Sequence, residues 1–236
     1  MFGGGIQQPI LVRIWYNEKK KKRSTMKLLR NTLIILLGIA LTIVMLMYKL
    51  PIWFIYISIL VLYLFILFLP QYYTVYKSNN LKRIERYLEE NKRKPIFAYP
   101  LAIKTGDTEK TIEAIQAILN KHKNRYLQEV YKTNLAFYEN NVSKVEQLAK
   151  QISKEPLRTY YMTYAEALKG NFEEVRKLKE NLPTGWMPYA IEAIIAKEQG
   201  DVVSFRKEAD TSIEQARGIQ KFSLLHSFEH MERNIK

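Results

Sequence analysis

Apolar and polar positions follow three different patterns along this chain. From Leu33 to Pro70 it reads LIILLGIALTIVMLMYKLPIWFIYISILVLYLFILFLP, with Lys49 as its single charge. From Leu81 to Leu88 apolar residues recur at helical spacing, at Leu81, Ile84 and Leu88, among Lys82, Arg83 and Arg86. From Pro95 onward short amphipathic stretches are separated by regularly placed turn residues. A hydrocarbon core about 30 Å thick needs about 20 mostly apolar helical residues. The first pattern is long enough for two such spans, about 31–48 and 52–69, forming a hairpin over 31–76. A single helix through the whole stretch would have to cross Lys49 and Pro51. Proline inside a helix costs about 3 kcal/mol, whereas it suits the first turn. Pro51 is therefore placed at the start of the second span and Lys49 in the turn.

The second pattern predicts a basic amphipathic juxtamembrane helix over 77–94, with caps offered by Ser78, Asn79 and Asn80 and a stop at Pro95. The third predicts a domain of helix pairs over 95–236. Its turn points are Gly106-Asp107, Asn140-Asn141, Gly170-Asn171 and Gly200-Asp201, spaced by 34, 30 and 30 residues. A near-constant period of this size marks a helix–turn–helix repeat. Val145, Val175 and Phe205 each lie five residues past a turn, and Ala136 and Ala196 four residues before one. Pro156 and Pro183 separate pairs, and Gly218 precedes a last helix, Gln220 to Asn234. The fold class is all-α: a two-helix transmembrane hairpin followed by a soluble helical array.

Aromatic residues flank the second span. Trp53 and Tyr56 belong at the outer interface, and Tyr72, Tyr73 and Tyr76 at the inner one, where amphipathic rings collect. Lys77, Lys82, Arg83 and Arg86 follow at the inner surface. Charge sets the orientation. Residues 1–76 hold nine Lys/Arg against one acid, residues 77–94 seven against three, and residues 95–236 twenty-one against nineteen. Of the formal +14, therefore, +12 lies next to the membrane and +2 on the array. Only Lys49 falls between the spans, so the positive-inside rule puts both termini in the cytoplasm of a two-span cell-membrane protein. A nucleic-acid binder carries its basic footprint on the folded domain; here the cations suit topology and anionic lipid instead.

Residues 1–30 form a basic arm in which Ile10, Leu11, Val12, Ile14, Trp15 and Tyr16 precede a lysine run. Three readings of it stand open: an arm lying on anionic lipid, a flexible basic tail, or a stretch lying upstream of a start at Met26. From Met26 the chain opens MKLLRNTLIILLGIA, an ordinary start for a bacterial membrane protein. Chemistry finds little foothold. The absence of cysteine excludes disulfides, thiolate nucleophiles and thiolate metal sites. His226 and His230 are four apart with Glu229 between them, but the glutamate is one place from where a zinc-protease helix needs it. No phosphate-binding glycine loop, nucleophile elbow or cofactor motif is present, and an enzyme is not expected.

The stretch YYMTYAEALKGNFEEVRKLKENLP places aromatics, alanine, Gly-Asn-Phe and a closing proline in the order of a tetratricopeptide repeat. Residues 95–216 resemble that family in degenerate form. The consensus tryptophan and Leu-Gly of the first helix are missing, and Pro100 falls within the first leading helix; an irregular α-helical array is the alternative. The resemblance implies an α-solenoid that binds a peptide or partner helix in a groove. Of the carboxylate-clamp positions only Asn134 matches; Tyr131, Tyr161, Tyr164, Ile191 and Ile194 stand at the others. Tyr131, Asn134, Tyr161 and Tyr164 are thus candidate partner contacts, with solenoid core as the competing reading of the tyrosines. The expected function is a membrane-anchored protein–protein interaction scaffold, its partners a protein and anionic lipid. The alternative is an accessory subunit of a transporter or secretion complex that uses the hairpin as its main interface.

Overall fold

A computed structural model describes residues 51–233 and 235 continuously, together with 32, 36, 38–40, 42–45, 47 and 48. The described residues are all helical apart from turns, with no strand among them. The chain divides into two compact units, residues 1–68 and 69–236. The N-terminal arm and much of the expected first span lie outside the described residues.

Helix α1, Ile52–Tyr76, crosses the boundary between the units. It is long and apolar enough to cross a membrane, and most of its side chains are exposed. Pro51 stands just before it, and its carbonyl accepts the N–H groups of Phe54 (2.9 Å) and Ile55 (3.4 Å). The helix runs seven residues past the end expected at 69, straight through Pro70. Pro70 has no N–H for the Ile66 carbonyl, a loss that ordinarily stops a helix. The turns beyond it are held from outside. The Thr74 hydroxyl, buried at 4% exposure, donates to the Pro70 carbonyl at 2.7 Å and accepts from Arg83 Nε at 3.0 Å.

In the second unit, α2 (Leu81–Asn91) starts at Asn80, whose side chain accepts the Arg83 N–H at 3.0 Å. Its apolar stripe is fully used: Ile84 and Leu88 are both 0% exposed. Then come α3 (Pro95–Thr105), α4 (Thr108–Lys121), α5 (Arg125–Tyr138), α6 (Val142–Ala149), α7 (Leu157–Leu168), α8 (Phe172–Lys179), α9 (Trp186–Glu198), α10 (Val202–Gln215) and α11 (Gly218–Arg233). The turns within α3–α4, α5–α6, α7–α8 and α9–α10 share one device. Gly106, Asn140, Gly170 and Gly200 adopt φ of 71°, 55°, 73° and 73°. That left-handed conformation ends a helix cheaply only for Gly or Asn. The next residue opens the following helix, and Asp107, Asn141 and Asp201 each accept an N–H three residues on. The Asn171 side chain instead donates to Glu166 at 3.0 Å.

The core follows the repeat. Val145, Val175 and Phe205 are at most 1% exposed, and Ala136 and Ala196 are buried. Tyr160, Val175, Met187, Ile191, Ile194, Phe205 and Phe228 join one apolar cluster across α7 to α11. Pro100 is buried within α3 without ending it. Neighbouring helices are also tied by surface ion pairs, Lys104–Glu85, Lys169–Glu146, Lys179–Glu192 and Arg206–Glu232. Exposed pairs of this kind contribute about 0–1 kcal/mol each.

The last helix returns to the first helices of the array. α11 packs on α10 and also on α2 and α3. Its Phe222 (1% exposed) completes the small core of Ile84 and Leu88, and Phe228 meets Phe205 edge to face, centroids 5.9 Å apart. Gly218, its first residue, has φ 59° and donates its N–H to the Ser78 carbonyl at 2.8 Å. A Cβ there would lie 1.9 Å from the Val75 carbonyl oxygen and 2.8 Å from the Tyr76 nitrogen. Only glycine lets α11 lie directly on the backbone of α1.

Two glycines separate backbone strain from this close approach. Gly170 shares the left-handed conformation, but a Cβ there would meet nothing within 4 Å. Gly170→Ala therefore costs about 1–2 kcal/mol, the conformational term alone. Gly218→Ala adds the collision with α1 and costs at least about twice that. Thermal unfolding of the full chain in mild detergent gives the comparison; equal losses would mean that α11 does not rest on α1.

Candidate functional site

The candidate residues fall into two groups. The first lies along α1 and at the start of α2. Trp53, Tyr56, Tyr72 and Tyr76 are more than half exposed and Tyr73 is 49% exposed. The rings of Tyr72 and Tyr76, one turn apart, lie tilted at 43° with centroids 5.0 Å apart. Lys77, Lys82, Arg83 and Arg86 are all exposed, but Arg83 has a fixed task. Besides its bond to Thr74, its guanidinium lies over the Tyr73 ring, 5.4 Å from the centroid. A planar guanidinium that both donates and stacks is a function lysine does not reproduce. Lys77, Lys82 and Arg86 remain solvent-facing, available to an anionic surface.

The second group is a seam of aromatic side chains along α3, α5, α7 and the start of α9. Tyr131, Asn134 and Tyr138 lie three and four residues apart on one face of α5, and Tyr161 and Tyr164 three apart on α7. The structure brings Asn134 and Tyr161 together: the Tyr161 hydroxyl donates to Asn134 Oδ1 at 2.9 Å. Phe137 packs against both Tyr161 (5.8 Å) and Tyr164 (4.5 Å). Tyr131 meets Tyr99 of α3 edge to face at 5.5 Å, and Tyr160 meets Trp186 of α9 at 5.0 Å. Sequence reasoning missed Tyr99, Phe137, Tyr138, Tyr160 and Trp186. The helical spacing of Tyr131, Asn134 and Tyr138 was the available signal for Tyr138; the pairing of α3 with α5 had none.

Burial sets the chemistry of this seam. It pushes the Tyr131 phenol up to about 12. Burial does the same to Tyr99, Tyr160, Tyr161 and Tyr164, with neighbouring tyrosines adding to it. The phenols are thus kept neutral, as hydrogen-bonding and stacking groups. Tyr131, Asn134, Tyr161 and Tyr164 are each half-buried, so each is partly open to solvent and partly held by its neighbours. Ile191 and Ile194, at 0% and 1% exposure, are core and present nothing outward.

His226 and His230 both meet neighbouring groups of the array, whereas His122 Nε2 is buried without a hydrogen-bond partner among the described residues. His226 Nδ1 pairs with Glu229 at 2.7 Å and its ring packs on Phe222 at 4.6 Å. His230 reaches the Lys104 carbonyl at 3.3 Å, its ring lying over Gly106. Among the described residues no group of three His, Asp or Glu is placed to hold a metal. No protein-family model, curated protein or solved structure matches this chain.

Raised phenol pKa values make the fold sensitive to alkali. An unfolded tyrosine ionises near 10, while Tyr131 in the seam holds its proton to about 12. Between these values the unfolded chain has released protons that the folded chain keeps, so stability falls as pH rises. The melting temperature should therefore drop from pH 10 upward, and Tyr131→Phe should shallow that drop without changing stability below pH 9. An unchanged slope would mean that the Tyr131 phenol is open to water.

Proposed function

We propose that this chain is a membrane-anchored scaffold whose cytosolic helical array holds a protein partner at the inner leaflet. In this reading two spans form a hairpin with both termini in the cytoplasm, and the helix pairs stack as a tetratricopeptide-like solenoid. The observation that carries it is the contrast within one chain. Most large side chains of α1 are exposed apolar surface, whereas Tyr189 and Val203 are the only exposed large hydrophobics described beyond Tyr76. Water does not tolerate a 25-residue apolar helix exposed over most of its circumference; a bilayer does.

Partial shielding supports the hairpin. On α1 up to Leu69 the less exposed positions are Ile55, Ser58, Ile59, Leu62 and Ile66, one helical stripe. Among the described residues before it, Gly38, Thr42 and Met45 are shielded at similar spacing. A Cβ added at Gly38 would meet nothing within 4 Å, so a glycine-mediated close approach at Gly38 is not part of the reading. Anchoring raises the local concentration of whatever the array binds without adding a contact. The partly exposed surfaces of Tyr131, Asn134, Tyr161 and Tyr164 supply aromatic and amide contact area for such a partner.

A second reading, the accessory subunit of a membrane complex, has its own support: the largest apolar surface described is α1, not the array. The two readings separate on one exchange. Residues 1–68 are replaced by an unrelated two-span anchor of the same orientation, leaving 69–236 intact because Thr74 and Val75 belong to the array's framework. The scaffold reading expects the partner to co-purify still; its loss would favour the subunit. Topology has a direct check, since the chain has no cysteine. On intact cells an impermeant maleimide should label Leu50→Cys and leave Asn79→Cys untouched. Labelling of Asn79→Cys would refute the cytoplasmic placement of the array.

A further inference from the structure

We infer that the chain self-associates in the bilayer through the face of α1 that carries Tyr56 and Tyr63. This rests on the reading of α1 as a membrane-crossing helix. Tyr63 stands ten residues from Trp53 and ten from Tyr73. At 1.5 Å per residue that is about 15 Å from either aromatic belt, the middle of the hydrocarbon. Its side chain is 53% exposed, and among the described residues its hydroxyl has no hydrogen-bond partner. Tyr56, seven residues earlier and so on the same face, is 70% exposed and likewise has no hydrogen-bond partner among the described residues. A tyrosine hydroxyl reaches only about 6.5 Å from its Cα, so Tyr63 cannot return it to the headgroups as a terminal residue can. A bare hydroxyl in hydrocarbon is costly, and a partner helix relieves it. The face lies beside the shielded stripe of Ile55, Ile59, Leu62 and Ile66, not on it, so it remains open for another molecule.

The occupant is a second copy of this chain. Every copy inserts in the same direction, which brings Tyr63 opposite Tyr63 at equal depth. A hydroxyl both donates and accepts, so this face complements itself across a twofold axis, as an isologous interface must. Tyr56 does the same nearer the outer surface. The juxtamembrane cations of the two copies repel each other, and anionic lipid between them screens that repulsion.

The absence of native cysteine makes the test clean. Full-length Leu60→Cys places a thiol one turn from Tyr63, and Phe65→Cys places one on the opposite side of α1. Each is reconstituted into phosphatidylcholine vesicles containing phosphatidylglycerol, diluted with lipid, and oxidised. A disulfide dimer is expected for Leu60→Cys and not for Phe65→Cys. Adding Tyr63→Phe to Leu60→Cys should weaken association about threefold, the loss of one interhelical hydrogen bond, with helix content unchanged by circular dichroism. Equal cross-linking at both positions, or none at Leu60→Cys at any protein-to-lipid ratio, overturns the inference and leaves Tyr63 to lipid or to a different membrane protein. Protein that does not float with the vesicles refutes the membrane-crossing reading itself, which the cross-linking pattern alone does not.

Discussion

Much of this structure depends on one backbone contact. Gly218 begins the last helix pressed on the carbonyl of Val75, and its N–H is bonded to Ser78. Through that contact the final element of the array is seated on the last turn of the apolar helix. A side chain of any size would push α11 away, so the identity of residue 218 is set by distance as well as by φ. From this seat α11 reaches Ile84 and Leu88 through Phe222, Gly106 through His230 and Phe205 through Phe228. It therefore joins the beginning of the array to its end.

This closure changes what the apolar helix is. A tether ends where the lipid ends, and a domain hung from it has its own first residue. Here Thr74 and Val75 contribute to the framework of the array, with Arg83 bonded to one and Gly218 lying on the other. The natural boundary falls near Leu69, inside a continuous helix. That explains why α1 survives Pro70: the hydrogen bond that proline withholds is offset by contacts made by the two turns beyond it. It also makes residues 69–76 of α1 part of the same unit as the array.

The parts that were legible in the sequence are those governed by local rules. The four turns were visible because left-handed helix ends demand Gly or Asn and the next helix demands an Asp or Asn cap; Gly106-Asp107 and Gly200-Asp201 carry both signals. Val145, Val175 and Phe205 were visible through their fixed distance from those turns. The parts that were not legible depend on residues far apart in the chain. Nothing near Pro70 announces that Arg83 will support the helix beyond it, and nothing near Gly218 announces Val75. Tyr131, Asn134, Tyr161 and Tyr164 were singled out by position in a repeat. Their neighbours Tyr99 and Trp186 became visible only when α3 met α5 and α7 met α9. The seam is accordingly better described as half framework and half surface than as an open groove.

The most direct measurement is amide hydrogen exchange on the full chain in bilayer nanodiscs, resolved at Ser78 and Gly218. If the array is closed on the inner end of α1, the Gly218 N–H exchanges only with the opening of the core. Its protection then matches that of Ile191 and Ile194, the most buried part of α9. If Gly218 and Ser78 exchange within seconds while Ile191 and Ile194 stay protected, α11 is a loosely held terminal helix. In that case the apolar segment would be no more than a tether.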